Sequence, residues 1–170
     1  GVDRKVTGFA NEMAADRADV VVLAVPPYHV ADLVAEVAER LDEDTLLVSP
    51  AVGMKKREGG FDYNPPSAGS VTELVADTAP DEVPVVGAFQ NLAADRLANL
   101  DVELDLDTLV VGDDGDAKQN VVDLAEGIEG IRALDAGPLA NAAEVESLTP
   151  LLVDLALHND GLHDVGVTFE

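Results

Sequence analysis

From Asp19 the chain runs Val20-Val21-Val22-Leu23-Ala24-Val25 without a polar residue and stops at Pro26-Pro27. A short continuous apolar run closed by proline predicts a central parallel strand buried on both faces. Behind it, Val30, Leu33, Val34, Val37 and Leu41 recur at helical spacing with Asp32, Glu36, Glu39 and Arg40 between them. One stripe of that helix packs and the other faces water. Thr45 to Val48, closed by Ser49-Pro50, predicts the next strand. Strand, helix and strand within about thirty residues predict a βαβ unit with parallel strands and a right-handed crossover.

Met54 to Pro66 carries Lys55-Lys56-Arg57, Gly59-Gly60 and Pro65-Pro66 and is expected to be a loop. Ser70-Val71-Thr72-Glu73 matches a capping box, and Val71, Leu74 and Val75 supply the stripe of a short helix to about Thr78. Val83 to Gly87 predicts a further buried strand, with Pro84 near its start where a missing N–H is tolerable. After Arg96 the pieces shorten. Thr108 to Val111 predicts a strand, Gly112 to Gly115 a turn, and Ala117 to Glu126 a helix with Val121, Val122 and Leu124 inward. Ile131 to Leu134 predicts another strand. Glu144 to His158 predicts a helix so apolar that this chain or a second copy must cover it on several sides, and Gly166 to Phe169 a last strand. The expected fold class is α/β, a doubly wound parallel sheet over residues 1–97 followed by a smaller α+β portion over 98–170, with no linker long enough to free one from the other.

Composition sharpens this picture. The chain has 170 residues, of which 47% are hydrophobic, so it can bury a core. It holds 34 Asp and Glu against 10 Lys and Arg, a formal charge of −24, which argues against a nucleic-acid partner whose affinity rests on neutralising phosphates. No apolar run approaches the roughly 20 residues of a membrane span, and no signal-peptide pattern is present, so a cytoplasmic location without membrane contact is expected. With no Cys there is no disulfide, thiolate nucleophile or Cys-ligated metal. A disordered chain of this charge would be poor in Val, Leu and Ile; here the charge belongs to a folded surface. Asp exceeds Glu, Lys is confined to Lys5, Lys55, Lys56 and Lys118, and Ala and Val are plentiful, a composition that resembles cytoplasmic proteins of extreme halophiles. Such a surface repels itself at low salt and is screened at molar salt, where the Debye length falls to about 3 Å. The other reading is an acidic face for a basic partner, disfavoured because the acids are spread along the chain.

In a doubly wound sheet, ligands bind beyond the carboxyl ends of the strands. Three such ends are readable: Val25-Pro26-Pro27-Tyr28-His29, Ser49-Pro50-Ala51-Val52-Gly53 and Gly87-Ala88-Phe89-Gln90-Asn91. Each is small or Pro-rich and weakly charged, which suits a flat phosphorylated ligand and is also what turns are made of. His29 at a helix start can hydrogen-bond a ribose or phosphate, or simply cap. His158 and His163 lie five apart and share no helical face, so a solvated helix end is favoured over zinc, and no metal site is expected. Lys55-Lys56-Arg57 can meet an anionic tail or balance charge. No G-x-S-x-G, P-loop, H-E-x-x-H or G-x-G-x-x-G occurs in the chain. A nicotinamide enzyme needs no side-chain nucleophile because the cofactor performs the chemistry, so this absence points toward redox chemistry, with no catalytic side chain expected.

Four stretches carry a family resemblance. Asn11-Glu-Met-Ala-Ala-Asp-Arg-Ala-Asp-Val-Val-Val-Leu-Ala-Val-Pro26 resembles the fourth-strand passage of Rossmann dehydrogenases. Leu47-Val-Ser-Pro-Ala-Val52, Ala94-Asp-Arg-Leu-Ala-Asn-Leu100, and Leu134-Asp-Ala-Gly-Pro-Leu-Ala-Asn-Ala followed by Val145-Glu-Ser-Leu-Thr-Pro-Leu-Leu152 narrow it. Together they resemble the NADPH-dependent coenzyme F420 reductases (F420H2:NADP oxidoreductases). The resemblance implies a Rossmann-like fold and hydride transfer between NADP and the deazaflavin of coenzyme F420. It implies NADP contacts at Val25, Pro26, His29, Val52 and Ala94, deazaflavin contacts at Ser147 and Thr149, small-molecule partners, and a homo-oligomer, expected to be a dimer. Gln90 and Ala143 depart from the family's His and Arg. A Gly-rich βαβ unit that opens family members does not occur in these residues, so with Gly1 at its start the chain is expected to be a fragment or a truncated product. A flavin-using ferric reductase and a noncatalytic Rossmann-like binding or assembly module are the alternatives.

Overall fold

The computed structural model describes residues 6–170; Gly1 and Lys5 lie outside the described residues. α1 (Asn11–Ala15) precedes β1 (Val20–Val22), and a 3-10 turn over Pro27–His29 opens α2 (Val30–Val37). β2 (Leu46–Ser49), α3 (Val71–Thr78) and β5 (Val85–Gly87) complete the first half, with β3 (Met54–Arg57) and β4 (Gly60–Tyr63) inserted between β2 and α3. α4 (Ala94–Ala98), β6 (Leu106–Gly112), α5 (Gly115–Glu126), β7 (Ile131–Asp135) and α6 (Ala142–His158) follow. Among the described residues no helix is long and apolar enough to cross a membrane.

The main sheet has the order β1-β2-β5-β6-β7. Successive residues of its central strands point to opposite faces, and each face has its own core. Leu47 and Val85 join Val30, Val34, Val71 and Val75 under α2 and α3, while Val48, Val86 and Val110 meet Ala117 and Val121 of α5 on the other side. This is the doubly wound arrangement expected from the apolar runs. Ser70 caps α3 as its capping box predicts, its hydroxyl accepting from Glu73 N at 3.0 Å, and Asp114 caps α5 by accepting from Ala117 N at 2.7 Å. Pro84 gives β5 a carbonyl for Leu47 N at 3.0 Å and needs no donor of its own.

Several expectations are corrected. β1, β2 and β5 run parallel, as do β6 and β7, but β5 and β6 are antiparallel. A parallel return requires a long crossover. Residues 88–105 supply only the five-residue α4, so β6 starts at the edge where β5 ends. β1 is not buried on both faces: Val20 and Val22 are 37% and 45% exposed. Among the described residues β1 pairs only with β2, and α5 packs chiefly on β5, β6 and β7. Leu124 is also exposed, and the inward residues of α5 are Ala117, Val121 and Ala125. On α6, Val145, Pro150 and Leu152 are buried but Leu151, Leu155 and Leu157 are exposed, so this chain covers one side only.

The segment expected as a loop is an antiparallel hairpin, β3 on β4, turning at Glu58-Gly59 with Gly59 at φ +79°. Its outward strand reads Met-Lys-Lys-Arg, all exposed, so no apolar alternation announces it. Outside contacts hold it instead. Asn64 N donates to Gly53 O at 2.8 Å at the base, Phe61 N donates to Asp154 Oδ1 on α6 at 2.9 Å, and Arg57 pairs with both Asp62 and Asp154. Arg57 is thus engaged in structure, which favours charge balance for that part of the basic run.

The C-terminal segment forms no regular strand. Asp107 N donates to Val167 O at 2.9 Å, but the carboxylate of Asp107 takes Phe169 N at 2.6 Å, the bond a ladder partner would otherwise make. The same buried carboxylate accepts Arg132 Nε at 2.7 Å and Nη2 at 2.6 Å from directly across the β6–β7 register.

Two consequences follow for stability. The Arg132 guanidinium holds the Asp107 carboxyl below the usual aspartate range, aided by Phe169 N and against its own desolvation. The unfolded chain therefore binds the proton first, so this contribution is complete above the unfolded value near 3.8 and is lost as pH falls through the lower folded value. Urea midpoints taken from pH 5 down to 3 at constant salt should fall more steeply for the wild type than for Asp107→Asn. At Gly53, a Cβ would press on the backbone of Asn64 and Pro65 at the hairpin base. Gly53→Ala should therefore lower the unfolding free energy by about 1–3 kcal/mol in a urea titration.

Candidate functional site

β1, β2 and β5 end together, with Val22 beside Val48 and Ser49 beside Gly87. The chain beyond each end therefore gathers at one edge of the sheet. After β1, Leu23 N still donates to Val48 O at 2.9 Å, and Pro26-Pro27 then turns the chain into α2. Tyr28 and His29 lie exposed on this turn with ring centroids 4.5 Å apart. After β2, Ala51, Val52 and Gly53 run buried into the hairpin. Pro27, Tyr28, Gly53, Asn64, Pro65 and Val71 enclose a depression of about 220 Å3 between these two ends.

The third end is the most constrained. Phe89 adopts φ +70°, an uncommon conformation for a non-glycine residue. Phe89 N donates to Thr108 Oγ1 at 3.1 Å, and Asn91 Nδ2 donates to Asp107 O at 2.7 Å, so the turn is tied to β6 on both sides of Gln90. Gln90 itself is 4% exposed, yet neither its Oε1 nor its Nε2 has a hydrogen-bond partner. Ser49 Oγ, at the neighbouring strand end, is likewise buried and unpartnered. Leaving such groups unpaired costs about 1–3 kcal/mol each. From above, Thr149 Oγ1 of α6 donates to Gln90 O at 2.7 Å. Gln90 and Thr149 border a cavity of about 510 Å3 whose walls include Leu152, Val153, Leu162 and His163. A largely apolar cavity bordered by an unpartnered amide suits a flat heterocycle.

Below this cavity lies a second polar group. Glu146 of α6 is fully buried, and its carboxylate accepts from Val71 N, Thr72 N, Thr72 Oγ1 and Tyr63 OH at 2.9–3.0 Å. Burial nevertheless pushes the Glu146 carboxyl above the ordinary glutamate range, and burial beside that carboxylate pushes the Tyr63 phenol up.

Of the residues singled out in the sequence, Thr149 lines the cavity. Ser147 lies two residues away with its hydroxyl turned back to Glu144 O at 2.7 Å. Val52 is buried at the β2 end, Pro26 precedes the 3-10 turn, and Ala94 is exposed at the start of α4. Val25 is half-buried and borders a groove under the β1 edge with Ala15, Leu33 and Val37. His158 ends α6 and His163 sits on the cavity wall. Among the described residues no group of three or more His, Asp or Glu is arranged to hold a metal ion. Sequence reasoning missed Glu146 and Tyr63. The signal for Glu146 was available: one acid at the spacing of Ala142, Val145, Pro150 and Leu152, on the stripe that packs.

Comparison with known proteins bears on this geometry. The family model "NADP oxidoreductase coenzyme F420-dependent" matches residues 2–53. The F420-dependent NADP reductase of Methanocaldococcus jannaschii is 36% identical over 160 residues, covering 91% of this chain and 70% of its own length. That of Methanothermobacter marburgensis is 34% identical over 160 residues, covering 92% and 71%. A solved structure from Arthrobacter sp. FB24, assigned as an F420-dependent NADP-reductase, superposes with a TM-score of 0.74 at 26% identity over 86% of this chain and 68% of that one. With a third or more of its residues identical across nearly its whole length, the chain belongs to the F420-dependent NADP reductase family.

Proposed function

We propose that this chain is an oxidoreductase that moves a hydride between NADP(H) and the deazaflavin of coenzyme F420. The observation that carries the reading is Gln90, a buried amide with both polar atoms free, at the border of a cavity at the end of β5 opposite Thr149. A deazaflavin has an imide edge that offers the complementary donor and acceptor to this amide once it turns into the cavity, and the aliphatic wall of Leu152, Val153 and Leu162 suits its ring. Nicotinamide and deazaflavin together supply the redox step, a two-electron hydride exchange that needs no protein nucleophile.

The chain's own residues bind, orient and exclude water. On this reading residues 1–97 hold NADP along the first two strand ends, with Val25, Pro26, Val52 and Ala94 as backbone-near surfaces and His29 as a polar contact. Residues 98–170 close the deazaflavin site from above with Thr149 and, at its margin, Ser147. Gln90 belongs to the first part and Thr149 to the second, so the site is shared. The wall is nearly uncharged in a chain of formal charge −24, which avoids repelling phosphorylated ligands. That surface charge supports work in a salty cytoplasm, and the uncovered Leu151 and Leu155, one turn apart on α6, support a dimer through this helix.

The test mixes the intact gene product with NADPH and oxidised F420 in molar potassium chloride and follows the deazaflavin's visible absorption. Bleaching that depends on both NADPH and protein is expected; its absence overturns the reading. Gln90→Leu should raise KM for F420 about tenfold, the equivalent of about 1.4 kcal/mol. It should leave the thermal midpoint unchanged or higher, because the wild-type amide makes no side-chain hydrogen bond in the free protein.

A further inference from the structure

We propose that Glu146 is a positioning residue for the deazaflavin site: it fixes α6 on the start of α3 and so holds Thr149 over Gln90. The inference rests on the functional reading above and extends it to a residue that touches neither ligand.

The hydrogen-bond pattern at Glu146 calls for a carboxylate. One carboxylate oxygen takes Val71 N at 3.0 Å and Tyr63 OH at 3.0 Å; the other takes Thr72 N at 2.9 Å and Thr72 Oγ1 at 3.0 Å. Each oxygen therefore faces one backbone N–H, and a backbone N–H cannot turn round to accept. Glutamine in either flip would set its NH2 against one of them. No described ion pair includes Glu146, so its burial is not offset by a cation. An apolar side chain would serve packing alone at lower cost.

What the carboxylate secures is a geometry. It joins three elements, the hairpin through Tyr63, α3 through Val71 and Thr72, and α6, at one point. Three residues further along α6, Thr149 Oγ1 reaches Gln90 O at 2.7 Å. The second link runs through Thr72. A Cβ placed on Gly87 would lie 3.0 Å from Thr72 Oγ1 and 2.8 Å from Gln90 Nε2, so hydroxyl and amide crowd the same spot beside the sheet. Thr72 has a single hydroxyl hydrogen, and Glu146 holds it.

The experiment compares Glu146→Gln with Tyr63→Phe and with Val121→Ala, a core change on the opposite face of the sheet that supplies a loss of stability remote from the site. Kd for F420 is read from quenching of its own fluorescence, and KM is measured for both substrates well below each variant's unfolding temperature. Glu146→Gln should weaken F420 binding and raise its KM about tenfold, as loss of a supporting contact behind a ligand does, while KM for NADPH stays within about twofold. Tyr63→Phe leaves both backbone bonds intact and should cost about threefold on the same quantities, the worth of one hydrogen bond; it also provides the test where Glu146→Gln fails to fold. Val121→Ala should move neither constant. The inference is overturned where Glu146→Gln, or Tyr63→Phe in its place, binds F420 like the wild type, or where both KM values rise together. A wild-type protein that neither binds F420 nor oxidises NADPH with it overturns the functional reading itself, an outcome recognisable without any variant.

Discussion

β2 and β5 are covered on both faces. Leu47 and Val85 pack under α2 and α3, and Val48 and Val86 pack under α5, so neither face of the central sheet has room for a ligand. Only the space beyond the strand ends remains, and the three parallel strands end together there. The same constraint governs the chain that leaves β5. It must turn at once beneath α6, and it does so with Phe89 at positive φ and with Asn91 spending its side chain on the backbone of β6. Gln90 is carried between them into a buried position with nothing to bond. Its unpaired amide is thus a consequence of how the sheet is filled, and the cavity that Gln90 borders is the place where a ligand could make that cost good.

The parts of this architecture that were legible in the sequence are those where a local pattern and the tertiary environment agree. Leu46 to Ser49 is apolar because both its faces are buried, and Val30, Val34 and Val37 mark the stripe that packs on it. Ser70 and Asp114 sit where helices begin because their oxygens satisfy amides that the helix leaves free. What escaped reading depends on partners distant in sequence. β3 has no apolar face and is held by Asp154, 97 residues beyond Arg57. β1 has the same apolar run as a central strand, and its exposure depends only on which elements lie beside it. The direction of β6 follows from a connection too short in helix to cross the sheet, which apolar runs do not report.

For the site the division is similar. The three strand ends could be found because proline and small residues interrupt the apolar runs, but nothing local distinguishes Gln90 from Asn91. The structure does: Asn91 is satisfied on both its amide atoms by β6, and Gln90 on neither. Ser147 and Thr149 look equivalent in sequence, yet one hydroxyl returns to its own helix and the other crosses to the turn beyond β5.

Among the described residues of this otherwise acid-coated chain two carboxylates are buried, and they behave in opposite ways. Asp107 meets a guanidinium across the β6–β7 register, and its carboxyl is held below the aspartate range; the pair pins the C-terminal segment to the sheet. Glu146 meets only neutral donors, and burial drives its carboxyl up in spite of four of them. Were stability the only requirement, the second arrangement would be a poor one, since an uncompensated buried charge weakens the fold that contains it. Its return lies in direction. Hydrophobic contacts between α6 and α3 would tolerate a sliding helix, because they depend on area and not on angle. A carboxylate received by two backbone amides at about 3 Å does not slide. A helix that must carry one hydroxyl to one carbonyl 59 residues away has use for such a constraint, and the charge on Glu146 is placed where it can impose it.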